Sequence, residues 1–281
     1  MSLAITGATG QLGRLVIADL KTRVPAGQIV ALARSPAKAA DLGVEARAFD
    51  YDSDVGTLAA ALAGVDKLLL ISGSEVGQRT AQHRKAIEAA KAAGVREIVY
   101  TSLLHADTSP LSLAREHVET EALLKASGIP HVILRNGWYG ENYAGSIAAA
   151  VQHGALIGAA GAGRISAAAR KDYATAASVV LSNQGHAGKT YELAADQAFT
   201  LADLAAEISA QTGKDVPYKH LSEGDYAAAL AGAGIPADFA AMIAGWDVGA
   251  SNGALYAEDK SLSTLIGRPT TPLREIVKAA L

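Results

Sequence analysis

Along the first half of the chain, short apolar runs alternate with longer stretches in which apolar residues return every three or four positions. The runs "SLAIT" (2–6), "QIVALA" (28–33), "KLLLIS" (67–72), "EIVYTS" (97–102) and "HVILR" (131–135) read as strands, with "EARAFD" (45–50) a weaker one. Between them the period lengthens. Leu12, Leu15, Val16 and Leu20 share one face of a helix over 11–20, and "TLAAALAG" (57–64) reads as a helix ended by glycine. Helices over 79–93 and 112–127 are closed by Gly94 and Gly128. Six near-continuous apolar strands alternating with helices before residue 136 predict a parallel sheet covered on both faces, a doubly wound α/β fold of the Rossmann type.

After residue 136 the pattern loosens. "GALIGAAGAGRIS" (154–166) predicts a turn or short hairpin, 170–182 a helix and "KTYELA" (189–194) a strand. Thr200 is placed to cap a helix over 201–212, "DVPYKHLS" reads as extended, and 223–246 as two short helices broken at "GAGIP". Thr271-Pro272 opens a last helix with proline at its first position. The expected organisation is a dinucleotide-binding domain over 1–150 and a smaller C-terminal α/β lobe over 151–281. That lobe is expected to lie over the carboxyl ends of the strands, without independence and with part of it able to return strands to the sheet. No internal repeat is visible.

The first apolar run leads directly into "TGATGQLG", Thr6 to Gly13, with glycines spaced G-x-x-G-x-x-G. The loop follows a strand, opens a helix and begins the first βαβ unit. That context turns a weak motif into a dinucleotide-binding loop. Gly7 allows the tight turn, Gly10 lets backbone approach a pyrophosphate, and Gly13 permits close packing of helix on sheet. The second strand ends "VALARSPAK". Where an NAD site places an acid for the ribose 2′-hydroxyl, this chain has Arg34, followed by Ser35 and Lys38. A guanidinium forks onto a 2′-phosphate, so NADP(H) is favoured. Asp50, closing the third strand, is placed either near the adenine or as the cap of the next turn.

In this fold the reacting ends of cofactor and acceptor meet at the carboxyl ends of strands four to six. Those ends read "ISGSE" (71–75), "TSLLH" (101–105) and "RNGWYGENY" (135–143). Ser72 and Gly73 allow close approach of a ribose. Aromatic residues make up only 5% of the chain, yet Trp138, Tyr139 and Tyr143 fall within six positions. With Asn136, Gly137 and Asn142 they form either a stacking wall for a flat substrate or the glue between lobe and sheet. Short-chain dehydrogenases relay a proton through a serine and a Tyr-x-x-x-Lys pair on the fifth helix. Ser102 stands where that serine is expected, but the helix reads "AREHVETEALL", with His117 and Glu121 at the tyrosine and lysine positions. Alcohol dehydrogenation and sugar-nucleotide epimerisation are therefore disfavoured. A quinone has no such requirement, because hydride attack leaves a delocalised anion that water or a histidine protonates, and positioning does most of the catalysis. Asn136, His117 and Ser102 are the catalytic candidates, His83 and His105 weaker ones. His117 reads first as a histidine of the helix surface or pocket rim, and only second as an assisting group. The histidines lack metal-ligand spacing, and no G-x-S-x-G elbow is present, so neither a metal nor a serine hydrolase is expected.

Composition narrows the setting. The 281 residues carry a net charge of −3 and no cysteine, which excludes disulfides, thiolate metal sites and cysteine nucleophiles. No basic patch advertises a nucleic-acid partner, no apolar run approaches the ~20 residues of a membrane span, and "MSLAITGATG" is not a signal peptide. A soluble cytoplasmic protein, monomer or homodimer, is expected.

"ITGATGQLG", "LLLISGSEVGQR", "YTSLLHADTSPL", "EHVETE", "LRNGWYGENY" and "GHAGKTYELA" together resemble the NmrA-like atypical short-chain dehydrogenases, and the resemblance runs nearly end to end through "DVGAS" and "LIGRPTTPL". It implies NADPH bound by Gly7, Ala8, Thr9, Gly10, Gln11 and Leu12, by Arg34, by the 71–75 loop including Ser72, Gly73 and Ser74, and by the 135–140 segment including Asn136 and Gly137. It implies two-electron reduction of quinones without flavin. Trp138, Tyr139, Asn142 and Tyr143 are the candidate contacts to the quinone or other flat aromatic acceptor. The same group contains NADP(H)-binding redox sensors and triphenylmethane or azo dye reductases, which stand as the alternatives.

Overall fold

In a computed structural model describing residues 1–281, the apolar runs become seven parallel strands. They are β1 (Leu3–Ile5), β2 (Ile29–Ala33), β3 (Glu45–Ala48), β4 (Lys67–Leu70), β5 (Glu97–Leu103), β6 (His131–Asn136) and a later strand at Thr190–Leu193. The order across the sheet places β3, β2, β1, β4, β5, β6 and then the late strand, all in parallel register. β1, β2 and β4 are buried at every position, as a sheet covered on both faces requires. β3 lies at an edge and is only partly covered. The strand order reverses between β1 and β4, the topological switch point at which open α/β sheets bind their ligands.

The covering helices follow the predicted periods. α1 (Gln11–Leu20) buries Leu12, Val16, Ile17 and Leu20, leaving Leu15 exposed. α2 (Val55–Ala61), α3 (Arg79–Ala92) and α4 (Ala114–Ser127) cover one core, in which Leu32, Leu58, Leu68, Leu70, Ile98, Tyr100 and Leu124 are buried. Two charges are drawn into the sheet with partners. Lys67 meets Glu97 at 2.8 Å and donates to the Asn183 carbonyl, and Arg135 is neutralised by a network described below.

The chain divides into two compact units. The first comprises 1–107, 113–136 and 170–193, and the second 108–112, 137–169 and 194–281. This differs from a single break at residue 150. The sheet ends its first pass at Asn136, and residues 170–193 return to it as a helix and the seventh strand.

In chain order the remaining elements are α5 (Ala144–His153), β7 (Leu156–Gly158), α6 (Arg170–Ser182), β8 (Thr190–Leu193), which is the late strand, α7 (Leu201–Thr212) and β9 (Tyr218–His220). They are followed by α8 (Glu223–Gly232), α9 (Ala237–Ser251), α10 (Ser261–Ile266) and α11 (Leu273–Ala280). α6 packs beside α1 in the first unit, where Ser178 donates to the Val16 carbonyl at 3.3 Å. In the second unit the glycine-rich stretch forms no hairpin: β7 pairs in parallel with β9, Leu156 opposite Tyr218. Thr200 caps α7 in a reciprocal box with Asp203, whereas Pro272 stands just before α11 rather than at its first position. No helix is long and apolar enough to cross a membrane.

Candidate cofactor and acceptor site

The loop after β1 has the geometry of a phosphate cradle. Gly7 takes a left-handed φ of +59°, and its carbonyl accepts from the Gly10 amide at 2.9 Å. Gly13 sits so close to this turn that a Cβ there would lie 2.4 Å from the Gly7 oxygen and 2.8 Å from the Ala8 Cα. Gly7, Gly10 and Gln11 are exposed, Thr9 is half-buried, and Ala8, Leu12 and Gly13 are packed inward. The first turn of α1 carries no acid, so its amides and dipole face outward unopposed. Gly13→Ala is expected to lower stability by about 1–3 kcal/mol and to weaken dinucleotide binding at least about tenfold. Denaturant melts and a fluorescence titration check both; wild-type values in each would contradict the close-approach reading.

Arg34 projects from the end of β2 with its side chain 74% exposed, and its Nη1 lies 3.6 Å from Glu75 Oε1. Ser35 and Lys38 beside it are also exposed. Asp50, by contrast, turns to the chain: its Oδ1 accepts from the Asp52 amide at 3.2 Å, capping the turn after β3.

The loop after β4 is built more firmly than its sequence suggests. The Ser72 amide donates to Thr101 Oγ1 at 2.9 Å. Gly73 is gripped through both backbone groups. Its amide donates to His83 Nε2 at 3.1 Å, and its carbonyl accepts from Arg79 Nε at 2.5 Å. Because Nε2 accepts, His83 carries its proton on Nδ1, facing Thr120 Oγ1 at 3.0 Å. Burial, and then the nearby Arg79 cation, push His83 down to about 3, so it is neutral near pH 7. Ser74 and Glu75 remain exposed. Sequence reasoning missed this grip. Its trace is that Arg79, Gln82 and His83 lie at helical spacing on the same face as the buried Ala86, Ile87 and Ala90.

The α4 face that carries tyrosine and lysine in ordinary short-chain dehydrogenases is turned inward here and engaged. His117 Nδ1 lies 2.8 Å from the Tyr100 hydroxyl. Burial, then Arg79 and His83, push its imidazole down to about 3. Ser102 donates to Glu121 Oε1 at 2.6 Å, and Glu121 receives Arg135 through both oxygens, at 3.0 and 2.8 Å. Arg135 also meets Asp107 and Glu192. Ser102 and Glu121 thus belong to a buried ion network that neutralises a strand arginine, not to a proton relay with free ends. His105 lies 3.7 Å from Glu192 and takes a positive φ of 53°.

Asn136 ends β6, 3% exposed, with its carbonyl accepting from the Leu104 amide. Gly137 is buried and opens the next segment of the second unit. Within that unit the aromatic segment splits in two. Trp138 is half-buried and meets Trp246 edge-on at 5.6 Å; Phe239 also meets Trp246 edge-on, at 6.0 Å, and Trp246 Nε1 donates to Ser112. Tyr139 is half-buried and Asn142 exposed. Tyr143 is buried against Phe199 at 5.9 Å, which makes it part of this unit's own packing. No group of three or more histidine or acidic side chains is arranged to hold a metal.

The E. coli K12 quinone oxidoreductase 2 is 60% identical over 98% of this chain and 97% of that protein. A crystal structure of the NADPH-dependent E. coli quinone oxidoreductase complexed with NADPH has a TM-score of 0.96 and 59% identity over 99% of both chains. That of Citrobacter sp. triphenylmethane reductase complexed with NADP(H) also has a TM-score of 0.96, at 39% identity over 100% of both. Residues 7–184 match the NAD(P)H-binding family, spanning the glycine cradle, Arg34, the gripped Gly73 and the α4 face, and the chain belongs to that family.

Proposed function

We propose that this chain is an NADPH-dependent quinone reductase that works without flavin or metal, as a cytoplasmic monomer or homodimer with no nucleic-acid or membrane partner. The observation that carries the reading is the α4 face. His117 and Glu121 stand where an alcohol dehydrogenase needs its acid pair, and both are buried and hydrogen-bonded elsewhere. An acceptor whose reduced form is a stabilised anion suits a site with no activated acid. The net step is quinone + NADPH + H⁺ → hydroquinone + NADP⁺, in which bound NADPH supplies the hydride. The cradle of Gly7 to Gly13 and Arg34 hold the cofactor's phosphates. Ser72, Gly73 and Ser74 form the wall beside its ribose. Asn136 orients the reacting end and Gly137 leaves room for it. Trp138, Tyr139 and Asn142 present flat and polar contacts to the acceptor. Tyr143 supports them from the core, and the final proton comes from water.

The aromatic group around Trp246 and the likeness to the dye reductase support a second acceptor class, cationic dyes. Purified protein stripped of flavin should oxidise NADPH with simple quinones, and acceptor kinetics side by side should rank quinones above triphenylmethane dyes. Dyes ranking first would move the assignment to dye reduction. NADPH binding with no turnover across either panel would sink the reductase and favour a redox sensor.

A further inference from the structure

Glu75 has two faces. Its Oε1 lies 3.6 Å from Arg34 Nη1, and its Oε2 accepts from Gln82 Nε2 at 2.9 Å. Gln82 is 6% exposed, and the same amide reaches Asp52 Oδ1 at 3.3 Å. Two residues earlier the loop is fixed, with Gly73 held by His83 and Arg79. The carboxylate is therefore anchored from beneath by a buried amide and aimed at the guanidinium. The Arg34 and Glu75 side chains are still 74% and 48% exposed, so the pair is open to a ligand.

A phosphate engages a guanidinium through the same fork that a carboxylate uses. One cation cannot serve two neighbouring anions without repulsion between them, and at exposed sites that repulsion is modest but real. We propose that Glu75 is a built-in competitor for the cofactor's 2′-phosphate. It holds Arg34 when no cofactor is bound, yields it when the phosphate arrives, and so sets how strongly the site discriminates NADPH from NADH. The inference rests on Arg34 being the 2′-phosphate residue. It makes Glu75 a specificity-determining residue that works against the preferred cofactor.

The test is calorimetry on the intact protein with two probes, adenosine 2′,5′-bisphosphate and adenosine 5′-monophosphate, without any acceptor. Glu75→Gln keeps the side-chain size and the contact to Gln82 while removing the charge. The bisphosphate is expected to bind about 3- to 10-fold more tightly to the variant, and the monophosphate to change less than about twofold. Unchanged or weaker bisphosphate binding, or equal tightening of both probes, overturns the proposal. A wild-type protein that binds both probes equally overturns the assignment of Arg34 itself, and the inference with it. Glu75→Ala gives the same readout should the glutamine variant melt below the wild type.

Discussion

Arg34→Glu is expected to weaken NADPH binding by about 100-fold or more, with NADH binding spared or improved. A charge-assisted fork onto phosphate contributes about 1.5–3 kcal/mol. Its replacement by a carboxylate adds repulsion against a phosphate, and about 2.7 kcal/mol is already 100-fold. NADH loses nothing, because its 2′-hydroxyl can donate to the new carboxylate as in NAD-selective sites. The fold should tolerate the change, since the side chain is 74% exposed and its ion pair to Glu75 is a surface one. Arg34→Ala separates the two contributions, losing the attraction without the repulsion, and should fall between wild type and Arg34→Glu. The measurement is Kd for both cofactors by fluorescence titration, with kcat/KM for both as a cross-check. Parallel loss for NADPH and NADH would mean that Arg34 supports the loop and not the phosphate.

The first sheet was legible because parallel strands buried on both faces need no partner information to be seen. Each is a continuous apolar run, and the intervening helices show their period and glycine stops. α1 falls at residues 11–20, as its apolar period predicts, and Gly128 closes α4 in the left-handed conformation. The second unit was less legible because its organisation depends on contacts distant in sequence. β7 and β9 pair across about sixty residues, and nothing in either three-residue segment names the other. α9 runs from Ala237 to Ser251, with small and apolar residues on every side and no clear face to read. α10 is too short for a period.

The candidate site divides the same way. The proposed role of Arg34 needs no knowledge of packing, because one residue type at a strand end decides between a hydroxyl and a phosphate. Ser102, His117 and Glu121 were readable only as departures from a proton relay. Their actual partners, Arg135 and Tyr100, lie on neighbouring strands whose register the sequence does not state. The grip on Gly73 was hidden because polar residues on a helix's inner face resemble its solvent face until the packing is known. Its consequence reaches beyond the loop, since an arginine that holds a carbonyl also places a cation among buried imidazoles.

That arrangement predicts acid lability. His83 and His117 are both pushed from 6.5 to about 3, by burial first and then by Arg79. Tyr51, Tyr100 and Thr120 pack around His83, and Tyr100 accompanies Arg79 and His83 at His117, so no carboxylate is bonded to either ring. A folded-state pKa below the unfolded value means that the unfolded chain binds the extra protons. The stabilisation is then full above pH 6.5 and is lost as pH falls toward 3. From pH 7 to 4.5 each histidine forfeits about 2.5 kcal/mol, so the pair loses about 5 kcal/mol, comparable with the whole stability of a marginal domain. The carboxylates with lowered values, Asp66 and Asp196 among them, add their losses mainly below about pH 4. In the interval from pH 6.5 to 4.5, His186, lowered by burial, adds to the loss, and Asp247, raised by burial, opposes it, so substitution of each buried histidine is what isolates its share. Urea melts across that interval should show the midpoint falling steeply, and His83→Gln or His117→Gln should each flatten the slope by about half. Glutamine at 83 can still accept from the Gly73 amide, so NADPH affinity at pH 7 should survive in His83→Gln and drop in His83→Leu. A urea midpoint that stays level from pH 7 to 5 would mean that these imidazoles are not held neutral in the core.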